Sequence, residues 1–177
     1  MPVIPYLPET IKEPHDLVAA IRARRGGTLL NLDRMLLHSP AFATGWNSFL
    51  GIVRNDLEVP AKLRELAICT VAILNGAEYE FVQHSPEFIK AGGTEAQLTA
   101  LQQIESANSI NTLFDTTEQA VLQLSVEMTQ SIQVSETTME TIRDALQNDQ
   151  HLVELIGIVA TYNMVSRYLV ALGIKPE

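Results

Sequence analysis

From Pro60 to Leu74 the chain is apolar at helical spacing, then breaks at Asn75-Gly76. A second stretch runs from Ala77 to Ala91 and closes on Gly92-Gly93. Proline is favoured at a helix start and glycine just past a helix end, so the pattern predicts two helices meeting at a tight corner. That corner constrains the fold because no run of alternating β-branched residues bounded by turns competes with it anywhere in the 177 residues. The expected class is all-α.

The remaining punctuation agrees. Residues 1–13 hold three of the eight prolines and no clean periodicity, and read as an extended arm lying on a neighbouring subunit. Pro14 to Arg25 carries Leu17, Val18 and Ile21 at helical spacing and ends at Gly26-Gly27. Arg22, Arg24 and Arg25 then fall at a helix C-terminus, where cations oppose the dipole. A short helix over Leu29–Leu36 stops before Ser39-Pro40, and Ser39 is expected to cap the next, which carries Phe42, Trp46, Phe49, Leu50 and Val53. Ser85-Pro86 inside the second central helix is expected to kink or divide it, because proline removes a backbone donor. Thr94 and Gln97 have capping-box spacing. Residues 106–115 read as a polar loop, Thr116 or Thr117 as the next cap and Ser135 as another. A last helix is expected from Asp149 to Leu172, stopped by Gly173. No linker divides this pattern, so one domain is expected over 1–177, with the motif region at 40–105 and C-terminal helices over 116–173.

A formal charge of −9 argues against a nucleic-acid partner, whose phosphates would call for clustered Lys and Arg. The longest uncharged apolar stretch, Leu155 to Ser166, is twelve residues, short of the roughly 20 a membrane span needs, so it is expected to be a buried helix. No basic leader with an apolar run opens the sequence; no secretory signal is expected, and cytoplasmic is the default. Cys69, the single cysteine, leaves no intrachain disulfide and no cysteine-based zinc cluster.

Acid–base chemistry concentrates at the corner. Glu65 lies 19 residues before His84, Glu80 lies four before it, and Ala77, Glu80 and His84 share one helical face. A Glu and a His brought together can shuttle a proton, since burial raises one and a neighbouring carboxylate raises the other. Glu65 precedes an apolar run, so its carboxylate is expected against a dry wall. The competing reading is a solvated i,i+4 pair of the kind any helical protein carries. Glu80 and His84 also have the spacing of helical metal ligands, but no third ligand is evident among His15, His38 and His151, and no metal is expected.

Arg64-Glu65-Leu66 with its apolar helix, then Asn75-Gly76-Ala77-Glu78-Tyr79-Glu80-Phe81, Gln83-His84 and Ala91-Gly92-Gly93-Thr94, resembles the carboxymuconolactone decarboxylase family, which includes the alkylhydroperoxidase D proteins. The resemblance covers about residues 40 to 105, and Tyr162-Asn163-Met164 to Gly173 is similar to the long members. It implies an all-α fold assembled as homo-oligomers, trimers or hexamers. It also implies that Glu65 and His84 are the family's Glu and His. In the peroxidase branch a Cys-x-x-Cys pair sits between them; those positions here are Ala77 and Glu80. Both thiols are absent, so a thiol–disulfide cycle of that kind cannot run, and Cys69 in its apolar helix reads as a buried structural thiol.

The decarboxylase branch, which uses no thiol and no cofactor, implies a lyase releasing carbon dioxide from a small carboxylated lactone or ring in aromatic-compound catabolism. Its candidates here are His84 or Glu65 as proton donor, with Glu80 as orienting partner. Arg64 is the candidate for a substrate carboxylate unless it pairs with Glu65, and Tyr79, Trp46, Tyr162 and Arg167 are candidate pocket walls. Two alternatives stand beside this reading: the family's peroxiredoxin activity as an antioxidant protein, disfavoured without the thiol pair, and a non-catalytic helical oligomer that binds a small molecule.

Overall fold

In the computed structural model, which describes residues 2–104 and 110–177, every regular element among the described residues is a helix. The order is α1 (His15–Arg24), α2 (Asn31–Leu36), α3 (Pro40–Asn55), α4 (Ala61–Leu74), α5 (Glu78–Lys90), α6 (Glu95–Leu101), α7 (Ile110–Leu113), α8 (Thr116–Gln130), α9 (Glu136–Leu146) and α10 (Asp149–Leu172). Two compact units emerge, one of residues 1–57 with 169–177 and one of residues 58–168.

In the first unit Val18 and Ile21 of α1, Leu32, Met35 and Leu36 of α2, and Ala43, Trp46, Leu50 and Val53 of α3 form the buried set. The N-terminal arm is bound along its own chain. The Val3 amide donates to the Leu172 carbonyl (3.0 Å). Arg34 Nε donates to the Leu7 carbonyl (2.6 Å), His38 Nε2 to that of Pro5 (2.9 Å), and the Lys175 amide to the Tyr6 hydroxyl (3.0 Å). A proline-rich segment lacks internal hydrogen bonds, so it takes them from whatever lies beside it. The arginine cluster does more than oppose a dipole: Arg24 and Arg25 close on Asp33, a carboxylate 1% exposed.

The second unit is built on α4, which packs on α5, α6 and α8. Leu66 through Ala72 are consecutive and all buried, so this helix is enclosed on every side. Each fully buried Leu, Ile or Val there contributes about 1.5–3 kcal/mol relative to exposure. The α4–α5 corner forms as expected: the Gly76 amide donates to Ile73 O and the Ala77 amide to Ala72 O. Gly76 takes φ +63°, the left-handed conformation that suits glycine after a helix end. Gly93 is required by contact, since a Cβ there would sit 2.3 Å from the Phe88 ring.

Several local expectations need correction. Pro86 does not divide α5, which stays helical from Glu78 to Lys90. The proline costs one backbone donor, and in the preceding turn Ser85 Oγ donates to the Phe81 carbonyl (2.6 Å). Ser39 stands before α3 but makes no side-chain cap bond. The cap of α8 is Asp115, not Thr116 or Thr117: its Oδ1 accepts from the Glu118 amide (2.8 Å) while Glu118 Oε2 accepts from the Asp115 amide (3.0 Å). The two carboxylates satisfy one orphan donor each. The polar loop expected over 106–115 contains the short α7, and residues 105–109 lie outside the described residues. Thr94 with Gln97, and Ser135 with Thr138, cap as expected.

Helix α10 is long and apolar enough to cross a membrane by length and composition. Its Leu155, Ile158, Val159, Tyr162 and Val165 are buried, as expected of the segment Leu155–Ser166. Thr161, Asn163 and Ser166 are buried with them, and these polar residues turn out to matter.

Candidate active site

Helix α4 delivers Glu65 and α5 delivers His84 to the same point. His84 Nδ1 lies 2.7 Å from Glu65 Oε2, while Arg64 Nε donates to Glu65 Oε1 at 3.1 Å. Glu65 is 5% exposed, so the expected dry wall is present. Burial pushes its carboxyl upward, but the hydrogen bond and charge of His84, followed by those of Arg64, outweigh it and hold the group below its ordinary range. Glu65 is therefore an ionised, acceptor-only carboxylate, and the ring nitrogen facing it, Nδ1, carries the proton.

That bond orients the imidazole. Glu65 makes this contact, while Glu80, expected from sequence as the orienting partner, lies against Ser166. The Tyr162 ring meets His84 edge-on, centroids 5.0 Å apart at 87°, and fixes the ring plane from α10. No hydrogen bond engages Nε2 among the described residues, and the side chain is 13% exposed. Nε2 is the nitrogen from which a proton can reach a substrate.

Glu80 is buried to 1% exposure, and both its oxygens lie on Ser166 Oγ, at 3.1 and 3.0 Å. Ser166 was not singled out from sequence. The available signal was a hydroxyl set among apolar neighbours in a helix with no polar face to put it on. Asn163 is a second such residue: its Oδ1 accepts from Asn75 at the corner (3.0 Å) and from Arg167 (2.8 Å), and its Nδ2 donates to Thr129 of α8 (3.0 Å). This network ties the α4–α5 corner to α10 and α8.

The other sequence candidates divide. Arg64 takes the alternative left open for it, pairing with Glu65. Tyr162 is fully buried and forms a wall of the His84 position. Tyr79 is buried in the second unit, and Trp46 in the first, where its ring lies 5.7 Å from that of Phe42. Arg167 is exposed and its Nη1 is bonded to Asn163 on its own helix. Cys69 is fully buried. Burial first, then the charge of Glu65 and, when ionised, of Glu80 push its thiol far up, with a hydrogen bond from Ser85 acting the other way. It is held as the thiol, not the nucleophilic thiolate. Among the described residues no His, Cys, Asp and Glu cluster is arranged to hold a metal.

The carboxymuconolactone decarboxylase family model matches residues 40–123, a segment that contains Glu65, Glu80 and His84. No functionally curated protein is detectably similar to the chain in sequence. Three solved structures share its fold. An uncharacterized peroxidase-related protein from Ralstonia eutropha JMP134, described as an alkylhydroperoxidase AhpD core, has a TM-score of 0.80 at 17% identity, covering 98% of this chain and 91% of that one. An uncharacterized peroxidase-related protein from Silicibacter sp. TM1040 has a TM-score of 0.79 at 16% identity, covering 99% and 90%. A cysteine-to-alanine variant of the debrominase Bmp8, in complex with 2,3,4-tribromopyrrole, has a TM-score of 0.78 at 13% identity, covering 100% and 94%.

Proposed function

We propose that the chain, whose residues 40–123 match the carboxymuconolactone decarboxylase family model, is a cofactor-independent acid–base enzyme acting on a small carboxylated lactone or ring compound. The observation that carries this reading is the 2.7 Å contact between His84 Nδ1 and Glu65 Oε2, with Glu65 ionised and Nε2 turned away from it. Loss of carbon dioxide leaves an electron pair that is held as an enolate until a carbon takes a proton. His84 delivers that proton from Nε2, and Glu65 stabilises the imidazolium before transfer. Arg64 supplies positive charge beside the pair. Thiol chemistry is disfavoured by residue identity: Ala77 and Glu80 stand at the thiol positions, and Cys69 is buried and protonated. The tribromopyrrole bound to the debrominase of the same fold is also a small ring, which supports the substrate class in size.

The test is release of carbon dioxide from a panel of small carboxylated lactones and ring acids. His84→Gln and Glu65→Gln are each expected to lower kcat/KM by about 10²–10⁴-fold while the protein remains folded, the usual worth of a positioned proton donor. Turnover unchanged in both variants ends the proposal.

A further inference from the structure

Two arginines of this chain are matched in burial but meet their carboxylates differently. Arg25 and Arg64 keep 19% and 17% of their side chains exposed. Arg25 closes a fork on Asp33, with Nε donating to Oδ2 (3.1 Å) and Nη2 to Oδ1 (3.4 Å). Arg64 makes only half of such a fork. Its Nε donates to Glu65 Oε1 at 3.1 Å, and no Nη bond to Glu65 accompanies it. The oxygen that would complete the fork, Oε2, is taken by His84 Nδ1 at 2.7 Å. The imidazole therefore frees part of the guanidinium from the carboxylate beside it.

A guanidinium carries five N–H donors, and Glu65 uses one of them. No acceptor engages Nη1 or Nη2 of Arg64 among the described residues, and neither nitrogen is sealed from solvent. The same is true of His84 Nε2. Nη1 and Nη2 form the end-on edge of the guanidinium, whose parallel N–H bonds match the two oxygens of a carboxylate. Arg64 and His84 are tied to the two oxygens of one residue, so their open donors flank the same Glu65. A cation largely withdrawn from water gains most from an acceptor that fits it.

We infer that the Nη1–Nη2 edge of Arg64 is the fork that binds a carboxylate of the small-molecule ligand, while its Nε goes on holding Glu65. The inference rests on the acid–base reading above and adds to it the residue that selects an acid over its neutral counterpart. Charge is consistent with it. Arg64 and the ionised Glu65 cancel, so a protonated His84, ready to deliver its proton, leaves the trio with one net positive charge. An incoming carboxylate neutralises that charge.

The test is binding without turnover. Furan-2-carboxylate, benzoate and succinate, each against its own amide, are titrated into the protein and followed by the NMR signals of the His84 ring. At least one acid should bind about tenfold or more tightly than its amide, the worth of hydrogen bonds to a charged group. Arg64→Gln should erase that preference. Its side-chain nitrogen stands where Nε stood, so the donor to Glu65 is kept and only the fork is removed. If Arg64→Gln does not fold, Arg64→Lys serves instead: it keeps the charge without the fork and should weaken the acid about threefold or more. No preference for any acid in the wild type, or a preference undiminished in the folded variant, overturns the inference. None of these measurements needs carbon dioxide release, so a failed decarboxylase assay would leave the binding result standing, and the reverse also holds.

Discussion

Asp33 in the first unit and Glu65 in the second are both buried carboxylates touched by arginine, yet only Glu65 is also bonded to an imidazole. Asp33 Oδ2 accepts from Arg25 Nε (3.1 Å) and the Leu30 amide (3.1 Å), and Oδ1 from Arg24 and Arg25 at 3.3 and 3.4 Å. Each of those donors is a permanent cation or a backbone N–H, so nothing in the cluster exchanges a proton near neutral pH. Glu65 has one arginine contact, and its other oxygen is given to an imidazole, whose second nitrogen is not taken up among the described residues. A buried, cation-paired carboxylate is thus not by itself a site. The partner's ability to titrate makes the difference.

That contrast can be broken from either side. The largest effect belongs to the second unit: His84→Gln is expected to remove turnover by the two to four orders of magnitude given above while the protein remains folded. A variant that keeps turnover but unfolds would place His84 with Asp33 as a structural group. Asp33→Ala should do the opposite. It strands two arginines, and after discounting for their partial exposure the cost is about 2–4 kcal/mol in denaturant unfolding. Turnover per folded molecule should stay within about twofold, since no proton moves through the cluster.

A smaller effect separates the two by pH. Glu65 is lowered in the folded protein from the ordinary glutamate value of 4.5, so its contribution to stability is fully present above that value. It is lost as pH falls through the lower folded value. In His84→Gln the burial that raises Glu65 remains while the largest opposing influence is gone, so the loss should begin at higher pH. Tm followed against pH in acid checks this; superimposable wild-type and His84→Gln profiles would mean the pair is not coupled. The smallest effect is expected from Cys69→Ala. Removing one buried sulfur should cost about 1–2 kcal/mol and leave turnover unchanged. If peroxide consumption were detected in the wild type and abolished in this variant, single-thiol chemistry would replace the acid–base reading.

Much of this was legible in the residue order because it is local. The Asn75-Gly76 corner, the Thr94–Gln97 box and the stop at Gly173 depend on neighbours within a turn or two, and helical spacing carries that far. Spacing alone left Glu65 and His84 open beside a solvated i,i+4 pair, and the family resemblance singled them out; two helices joined by a tight corner then bring the start of one toward the end of the other. Pro86 does not divide α5 because a missing donor is a local cost, whereas the helix packs on α4 and buries Tyr79 and Phe88 near its two ends. The contacts of the arm were not legible, because a segment without periodicity does not reveal which surface satisfies its backbone.

The sequence by itself determined the helices, their order and the absence of the thiol pair, because propensity, capping and residue identity are properties of short stretches. Only the tertiary structure decided which oxygen faces which hydrogen. Glu80 and Ser166 are 86 residues apart in the chain, and no spacing rule joins them. Their pairing is a matter of how α10 is rotated against α5, and that rotation is set by the burial of Tyr162, Val165 and Leu155 rather than by the serine itself. The same packing places Tyr162 against His84, so the apolar face of one helix bears on both the imidazole ring and the partner of the second carboxyl.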